Sequence, residues 1–517
     1  MPLALQALLP LLALLLAAGL VIGRPRHAAN GWIALAGTAV AGAITLIELL
    51  RLSSGERVDV PYLTTFPYAD LAIRLDGLSL GFLAVTLLTA ALLMLVRLRA
   101  PGDRRDPWAS WLLTTAAVLA VMMAASLLLA YILLQLLTLA WSGTLDEAAP
   151  RRRRLRLAIG ASDIGLLLAA GSAIQSVGTS AFSGVPSDTF GPAAFLLALL
   201  PVAVRMVALG RAEAGPAAPV SFTPAIAFAA PAGYLLLRLL ALMGGRLPGR
   251  AIEVAIFAGA LLLAAAAAAW AFFQPKGGRL PTSLLFGQAA IALALLASSL
   301  PALALASTWL LLQLILLTGL CSVDRDRDEG AGLVARVTLS VLPGTTAFVA
   351  VFIAAAGLRS AGDTLPLFAL AIVVLLMALA GVLHTHRVDR WSRDVPSAWA
   401  VLMLVIAALP SVALGPLVVP ASETVRSLPA GTVLLSPLGF RLSGVLWPAP
   451  AVALLLGAAL ALLWRRHLVL FDGVPGIRRP SMPRISIGTL PRPPGHWMTR
   501  AVWTVFLALT AIAVLRP

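Results

Sequence analysis

The chain has one cysteine, one lysine and little charge, and each scarcity excludes something. A lone Cys321 forms no internal disulfide. It also excludes an iron–sulfur cluster or a thiolate zinc site built by this chain alone. At the end of an apolar run it reads as a structural side chain. Lys276, the only lysine, falls in an expected loop, so no apolar run offers a lysine that gains and loses a proton. Charged residues are 12% of 517, against 60% hydrophobic. A soluble domain is nearer 25% charged. So little polar surface does not cover a chain of this size in water, and lipid must be its main solvent. The longest polar stretches, 51–76, 419–445 and 465–497, leave no separate soluble domain.

What fills the chain is apolar runs of about 20 residues, the length of a helix that crosses a bilayer. They are continuously apolar and rich in Leu and Ala, where barrel strands would alternate. Candidate spans are 3–23, 30–50, 77–97, 109–123, 126–145, 157–177, 193–210, 220–242, 251–273, 281–299, 302–322, 333–357, 365–385, 397–418, 446–464 and 498–515. The fold class is therefore all-α and polytopic, with 14 to 16 crossings depending on whether 193–242 crosses once or twice. The N-terminal run lacks a basic leader and a small-x-small cleavage site, and reads as a retained first helix. Prolines in 465–497 forbid a long regular helix there.

The net charge of +16 is carried by short loops. There it sets topology and meets anionic lipid, and nucleic acid is not a partner. Arg24 and Arg26, then Arg97 to Arg105, then Arg151 to Arg156 fall on one side if the spans alternate. That side is read as cytoplasmic, which puts the N-terminus outside in a bacterial inner membrane. Loops 274–280 and 386–393 agree only if 193–242 crosses twice. Segment 51–76 then faces outward and suits a small hairpin. Asp324, Asp326 and Asp328 interleave with Arg325 and Arg327 and read as a solvated turn rather than a calcium loop.

Six stretches in order resemble the antiporter-like subunits of respiratory complex I, a family related to multi-subunit cation/proton antiporters and membrane-bound hydrogenases. They are IRLDGLSLGFLAV (73–85), LLLAYILLQLLTLAWSGTL (127–145), RLAIGASDIGLLLAAG (156–171), APVSFTPAIAFAAPAGYLLLR (218–238), LPTSLLFGQAAIALALL (280–296) and LSVLPGTTAFVAVF (339–352). The resemblance implies two inverted five-helix repeats, at 109–273 and 274–418. Helices at 1–108 precede them and a tail with a Pro/Arg-rich connector follows at 419–517. It also implies a channel glutamate paired with a lysine, a central row of Lys and His, and an exit Lys or Glu.

The sequence departs from nearly all of that. Gln135 stands at the glutamate, and an amide does not titrate. Arg205 stands at the first lysine, and arginine keeps its proton. Val351 stands at the exit lysine, and 308–323 has no ionisable group except Cys321. The polar remainder supplies the ion-pathway candidates Asp163, Arg205, Gln135, Gln288 and Gln313. Asp163 and Arg205 are expected to pair and to fix helix packing. The three glutamines are read as bonds between helices. Glu48 snorkels, Glu253 complements a helix dipole, and His384 and His386 are solvated. The implied role is a membrane-arm subunit of a complex-I-like assembly, either NADH-quinone oxidoreductase or membrane-bound hydrogenase. Such assemblies couple electron transfer to proton translocation, and this copy is attenuated or purely structural in that work. The alternative is the membrane subunit of a cation/proton antiporter or of a two-component inorganic-carbon uptake system. No cofactor motif and no catalytic site is expected, and the partners are other membrane subunits and the bilayer.

Overall fold

The computed structural model describes residues 3–446, apart from 25–26, 53–56, 64–70, 100–106, 143–149, 188–190, 210–221, 273–281, 324–328, 343, 385–394, 430–432, 437–438 and 443–444. The expected spans at 446–464 and 498–515 and the Pro/Arg-rich connector lie outside the described residues, save Leu446. Among those described, nine helices are long and apolar enough to cross a membrane, with five shorter apolar helices beside them. The chain is a multi-pass membrane protein.

Two helices, α1 (Leu3–Gly23) and α2 (Asn30–Arg51), come first. A hairpin follows, β1 (Arg57–Leu63) against β2 (Leu71–Asp76), antiparallel with Val60 opposite Ile73. The hairpin runs directly into α3 (Gly77–Arg99). Next are α4 (Trp108–Met123), α5 (Leu127–Ser142), α6 (Pro150–Val177) and α7 (Pro192–Leu209). A π-turn at Pro224–Ala229 opens into α8 (Ala230–Leu242), so 193–242 holds two helices. Four more helices are α9 (Arg250–Phe272), α10 (Thr282–Ala297), α11 (Pro301–Cys321) and α12 (Glu329–Leu339). Then come α13 (Thr346–Ser360), α14 (Thr364–His384), α15 (Val395–Ala408) and the short α16 (Ser411–Ala413). A second π-turn, Leu414–Val418, leads to α17 (Val419–Val425). A three-stranded antiparallel sheet closes the described chain: β3 (Val433–Ser436), β4 (Gly439–Leu442) and β5 (Val445–Leu446).

Three expected elements differ, one of them the run 397–418, which is α15, α16 and a π-turn interrupted at Leu409 and Pro410. The run 333–357 is not one helix but α12 and α13, parted at Val341 (φ 55°) and Gly344 (φ 84°), both in the left-handed region. A proline at 343 denies the helix an N–H and disfavours helical geometry at the residue before it. The segment 419–445, read as a polar stretch, begins with α17 and carries the small sheet.

Layering follows from burial. The span of α11 is buried along its whole length, whereas those of α1, α2 and α14 are buried over only about a third of theirs or less. An apolar helix surrounded by helices is the axis, and apolar helices at the rim give their outer faces to lipid. The hairpin marks one face of the bundle. Ala125 N–H donates to the Ala72 carbonyl and Phe182 N–H to the Ala125 carbonyl, so the ends of α4, α5 and α6 are stitched to β2 there. At Gly77 a Cβ would collide with the Pro420 carbonyl, so α17 reaches the same face. The other ends of α3 and α6 carry Arg97, Arg99 and the arginine run that opens α6.

One close approach sets the α6–α7 contact. Pro201, inside α7, has no N–H, which frees the carbonyl of Leu197 one turn earlier. Gly165 of α6 lies against that oxygen, where a Cβ would not fit. Gly171, farther along α6, has open space at its Cβ position. Gly165→Val should therefore lower the thermal stability and yield of the purified protein strongly. Gly171→Val, which also cancels the ordinary gain from replacing a helix glycine, should stay within about 1 kcal/mol of wild type. Melting curves of the two variants in one detergent make the comparison.

Candidate functional site: buried ion pairs and amides within the bundle

The Gly165 contact holds α6 and α7 near enough for a buried charge of each, Asp163 and Arg205, to meet. Arg205 Nη1 and Nη2 donate to the two carboxylate oxygens of Asp163 at 2.5 and 3.0 Å. Asp163 is 0% and Arg205 1% exposed. Nη1 also donates to the Pro201 carbonyl at 3.3 Å, and Nε has no partner. This is a bidentate fork, the geometry that guanidinium and carboxylate favour. Both side chains are buried, and each offsets the other's charge. Breaking it by removing one partner leaves a bare charge at membrane depth.

The glutamines take different places. Gln135 on α5 is half-buried and donates to the Gly160 carbonyl of α6 over a long 3.4 Å, one turn from Asp163. Gln288 on α10 donates to the Thr338 carbonyl at the end of α12 at 2.8 Å, and Gln313 on α11 donates to Gln288 Oε1 at 3.1 Å. The structure thus brings Gln288 and Gln313 together, and Asp163 and Arg205 together, as two separate clusters. Trp309, one turn from Gln313, donates to the Thr346 carbonyl at the start of α13 at 2.7 Å. Val351 is buried on α13, among apolar neighbours.

A third cluster escaped sequence reasoning. Arg238, near the end of α8, forks onto Asp76 at 2.6 and 2.9 Å, and its Nε donates to the Tyr234 hydroxyl at 3.0 Å. Asp76 also accepts from the Ser79 backbone N–H, which caps the start of α3. Arg74 on β2 forks onto Asp59 of β1 at 2.7 and 2.8 Å. Phe182 lies under both guanidinium groups, 5.8 Å from Arg74 and 5.6 Å from Arg238. One network therefore joins the hairpin, α3, the segment after α6, and α8. Both its key residues stand at the ends of motifs already visible, IRLD and YLLLR. Arg238 lies within an apolar run, however, and its partner is 162 residues away in the chain.

Burial pushes the Asp76 carboxyl up. The Arg238 charge and hydrogen bonds, the Ser79 N–H and the Arg74 charge outweigh it and hold the group below its ordinary range. The stability this supplies is present above the unfolded carboxyl value and is lost as pH falls through the lower folded value.

On the same face Arg426, just past α17, gathers three carbonyls from two connections, α8–α9 and α10–α11. It donates to Ser298 at 2.7 Å, to Leu300 at 3.0 Å and to Gly245. Burial and the neighbouring Arg246 pull its guanidinium down to about 10, with Glu253 opposing, so at neutral pH it is still a cation.

With that geometry in place, comparison with solved structures identifies the fold. A chain of the Mrp complex from Dietzia sp. DQ12-45-1b superposes with a TM-score of 0.69 at 17% identity, over 100% of this chain and 60% of that one. A chain of the membrane-bound sulfane sulfur reductase, an archaeal respiratory membrane complex, gives 0.64 at 15% identity, covering 98% and 91%. A chain of respiratory complex I from Thermus thermophilus with bound NADH gives 0.64 at 20% identity, covering 83% and 100%. No protein-family model matches the sequence, and no curated protein matches it. The chain has the antiporter-like fold shared by membrane subunits of these complexes, as its six motifs implied. It spans 60% of the length of the Mrp chain.

Arg238→Ala should destabilise by about 3–5 kcal/mol, because it strands the Asp76 carboxylate. Thermal melts should further show wild-type stability falling below about pH 4. In Asp76→Asn that acid limb should shrink, at the cost of lower stability at pH 7.

Proposed function

We propose that this chain is a membrane-arm subunit of a complex-I-like assembly, and that within it the chain is a structural rather than a relaying member. The carrying observation is the state of the buried polar groups. Asp163 and Arg205 fork onto each other, the fully buried α11 carries Ser, Thr and Gln side chains and the Trp309 indole with Cys321 at its end, and the buried Val351 stands where the resemblance puts an exit lysine. Proton transfer across a bilayer needs groups that change protonation state. An arginine does not release its proton, and an amide never takes one up.

Packing supports a division into two five-crossing halves, α4–α8 and α9–α14 with α12 and α13 as one crossing. Helix α9 packs on α10 and α14. We therefore place the junction at the turn 243–249, earlier than the division at 273/274 read from the sequence. The basic connectors support an N-terminus outside and a bacterial inner-membrane location. Partners are other membrane subunits, and electron transfer belongs to them.

The antiporter reading has its own support in the 0.69 TM-score to the Mrp chain. Purifying the native complex separates the two. Quinone-reductase or hydrogenase subunits would establish the first reading. Small antiporter subunits or a large soluble zinc protein would replace it.

Gln135→Glu alone should give no pH-gradient-driven flux in reconstituted vesicles, because Val351 still blocks the exit; clear flux would refute the static reading. Arg205→Ala should cut the yield of assembled complex more than the activity per assembled complex, measured on the same preparation.

A further inference from the structure

At the arginine-bearing end of the bundle, the corner between α1 and α2 holds a buried acceptor with no partner. Asn30 opens α2 and is 2% exposed. Its Nδ2 donates to the carbonyl of Arg24, just past α1, at 2.8 Å. Its Oδ1, on the same amide, is buried without a hydrogen-bond partner. The next residue, Gly31, lies against Leu98 of α3 and the Trp108 ring that opens α4, and a Cβ there would collide with both. These contacts bring the end of α1, the start of α2, the end of α3 and the start of α4 to one place.

Charge of one sign collects there. Arg97 and Arg99 flank Leu98 on the last turn of α3. Among the described residues, no carboxylate pairs with Arg24, Arg97 or Arg99. Helix α2 adds the positive end of its dipole, and Ala29 at its N-cap supplies no side-chain bond to the first-turn N–H groups. Helix ends of this kind hold anions. Beside them Leu20, Ile22 and Trp32 are 53%, 57% and 62% exposed. They form an apolar margin with an aromatic ring of the sort that lines a membrane interface.

Each feature selects part of a ligand. Free guanidinium groups and a helix N-terminus call for a phosphate. The apolar margin calls for acyl chains. An amide oxygen only accepts, so Asn30 Oδ1 calls for a donor on the same headgroup. Choline offers no such donor and leaves the lipid without net charge. Glycerol offers hydroxyls beside a phosphate whose charge stays uncompensated. We propose that this corner binds one anionic phospholipid with a hydroxylated headgroup, of the phosphatidylglycerol type. Its phosphate faces Arg24 and Arg99 at the head of α2, and a headgroup hydroxyl donates to Asn30 Oδ1. The spans of α1 and α2 are buried over only about a third of their length or less, so a lipid held here fastens that pair to α3 and α4. This inference stands independently of which complex the chain serves.

The melting temperature of the full chain in lipid nanodiscs tests it. Replacing about a fifth of the phosphatidylcholine by phosphatidylglycerol should raise the wild-type value by roughly 3 °C or more. Arg24→Gln with Arg99→Gln should remove about half of that rise or more, whereas Arg153→Gln with Arg154→Gln, exposed positions on α6 at the same end of the bundle, should keep most of it. Equal losses in the two double variants would mean a diffuse surface attraction and overturn the site. Phosphatidylmethanol carries the same charge and no headgroup hydroxyl. It should stabilise the wild type less than phosphatidylglycerol does, and Asn30→Leu should erase that difference. Equal stabilisation of the wild type by both lipids would overturn the proposal as well. Should the variants fail to fold, native mass spectrometry of the wild-type protein in an equimolar mixture of phosphatidylglycerol and phosphatidylcholine decides. Enrichment of bound phosphatidylglycerol by about threefold or more supports the site, and equal occupancy overturns it.

Discussion

A guanidinium inside an apolar bundle keeps its charge, so the protein must bring acceptors to it. Three arginines impose that demand here. Arg205 binds Asp163 between α6 and α7, Arg238 binds Asp76 between α8 and α3, and Arg426 collects three carbonyls from two connections. Lipid supplies no substitute partner. Each arginine therefore dictates which helices stand together and at what depth. The two carboxylates cannot serve elsewhere without stranding a charge. The close approach at Gly165, the freed Leu197 carbonyl and the hairpin stitched to α4, α5 and α6 all fall in line with that demand.

The same property that makes arginine a good anchor makes it a poor relay. A lysine in an apolar pocket is poised between charged and neutral forms, and a nearby acid tips the balance. Arginine has no such balance. Here the antiporter-like fold is present, and the buried guanidinium groups of Arg205 and Arg238 are held in forks with Asp163 and Asp76. The helix breaks survive: π-turns at Pro224–Ala229 and Leu414–Val418, and the strained turn at Val341. They are architectural features of the fold that depend on proline, glycine and packing rather than on titratable groups.

Much of this was legible in the chain itself. Lipid as solvent, helices as elements and the order of the crossings follow from run length and the placement of arginines. The hairpin at 51–76 was legible because two short amphipathic stretches flank a turn-rich linker. The pairing of Asp163 with Arg205 could be anticipated because the resemblance makes their helices neighbours and each is a charge within an apolar stretch. The Asp76–Arg238 fork could not. Its members sit at helix ends, where a charge needs no explanation, and their contact depends on where α3 and α8 lie in space. The division of 333–357 into two helices was missed because apolar periodicity runs straight through the break.

The sequence by itself determined the solvent, the class and the order of the elements, because the cost of burying charge and backbone is local and can be read residue by residue. It also determined that few side chains here are able to titrate. Tertiary structure alone decided which charge met which, where the helices parted, and which polar atoms were left without a partner. Those outcomes depend on distances between residues far apart in the chain, set by all the packing contacts acting together.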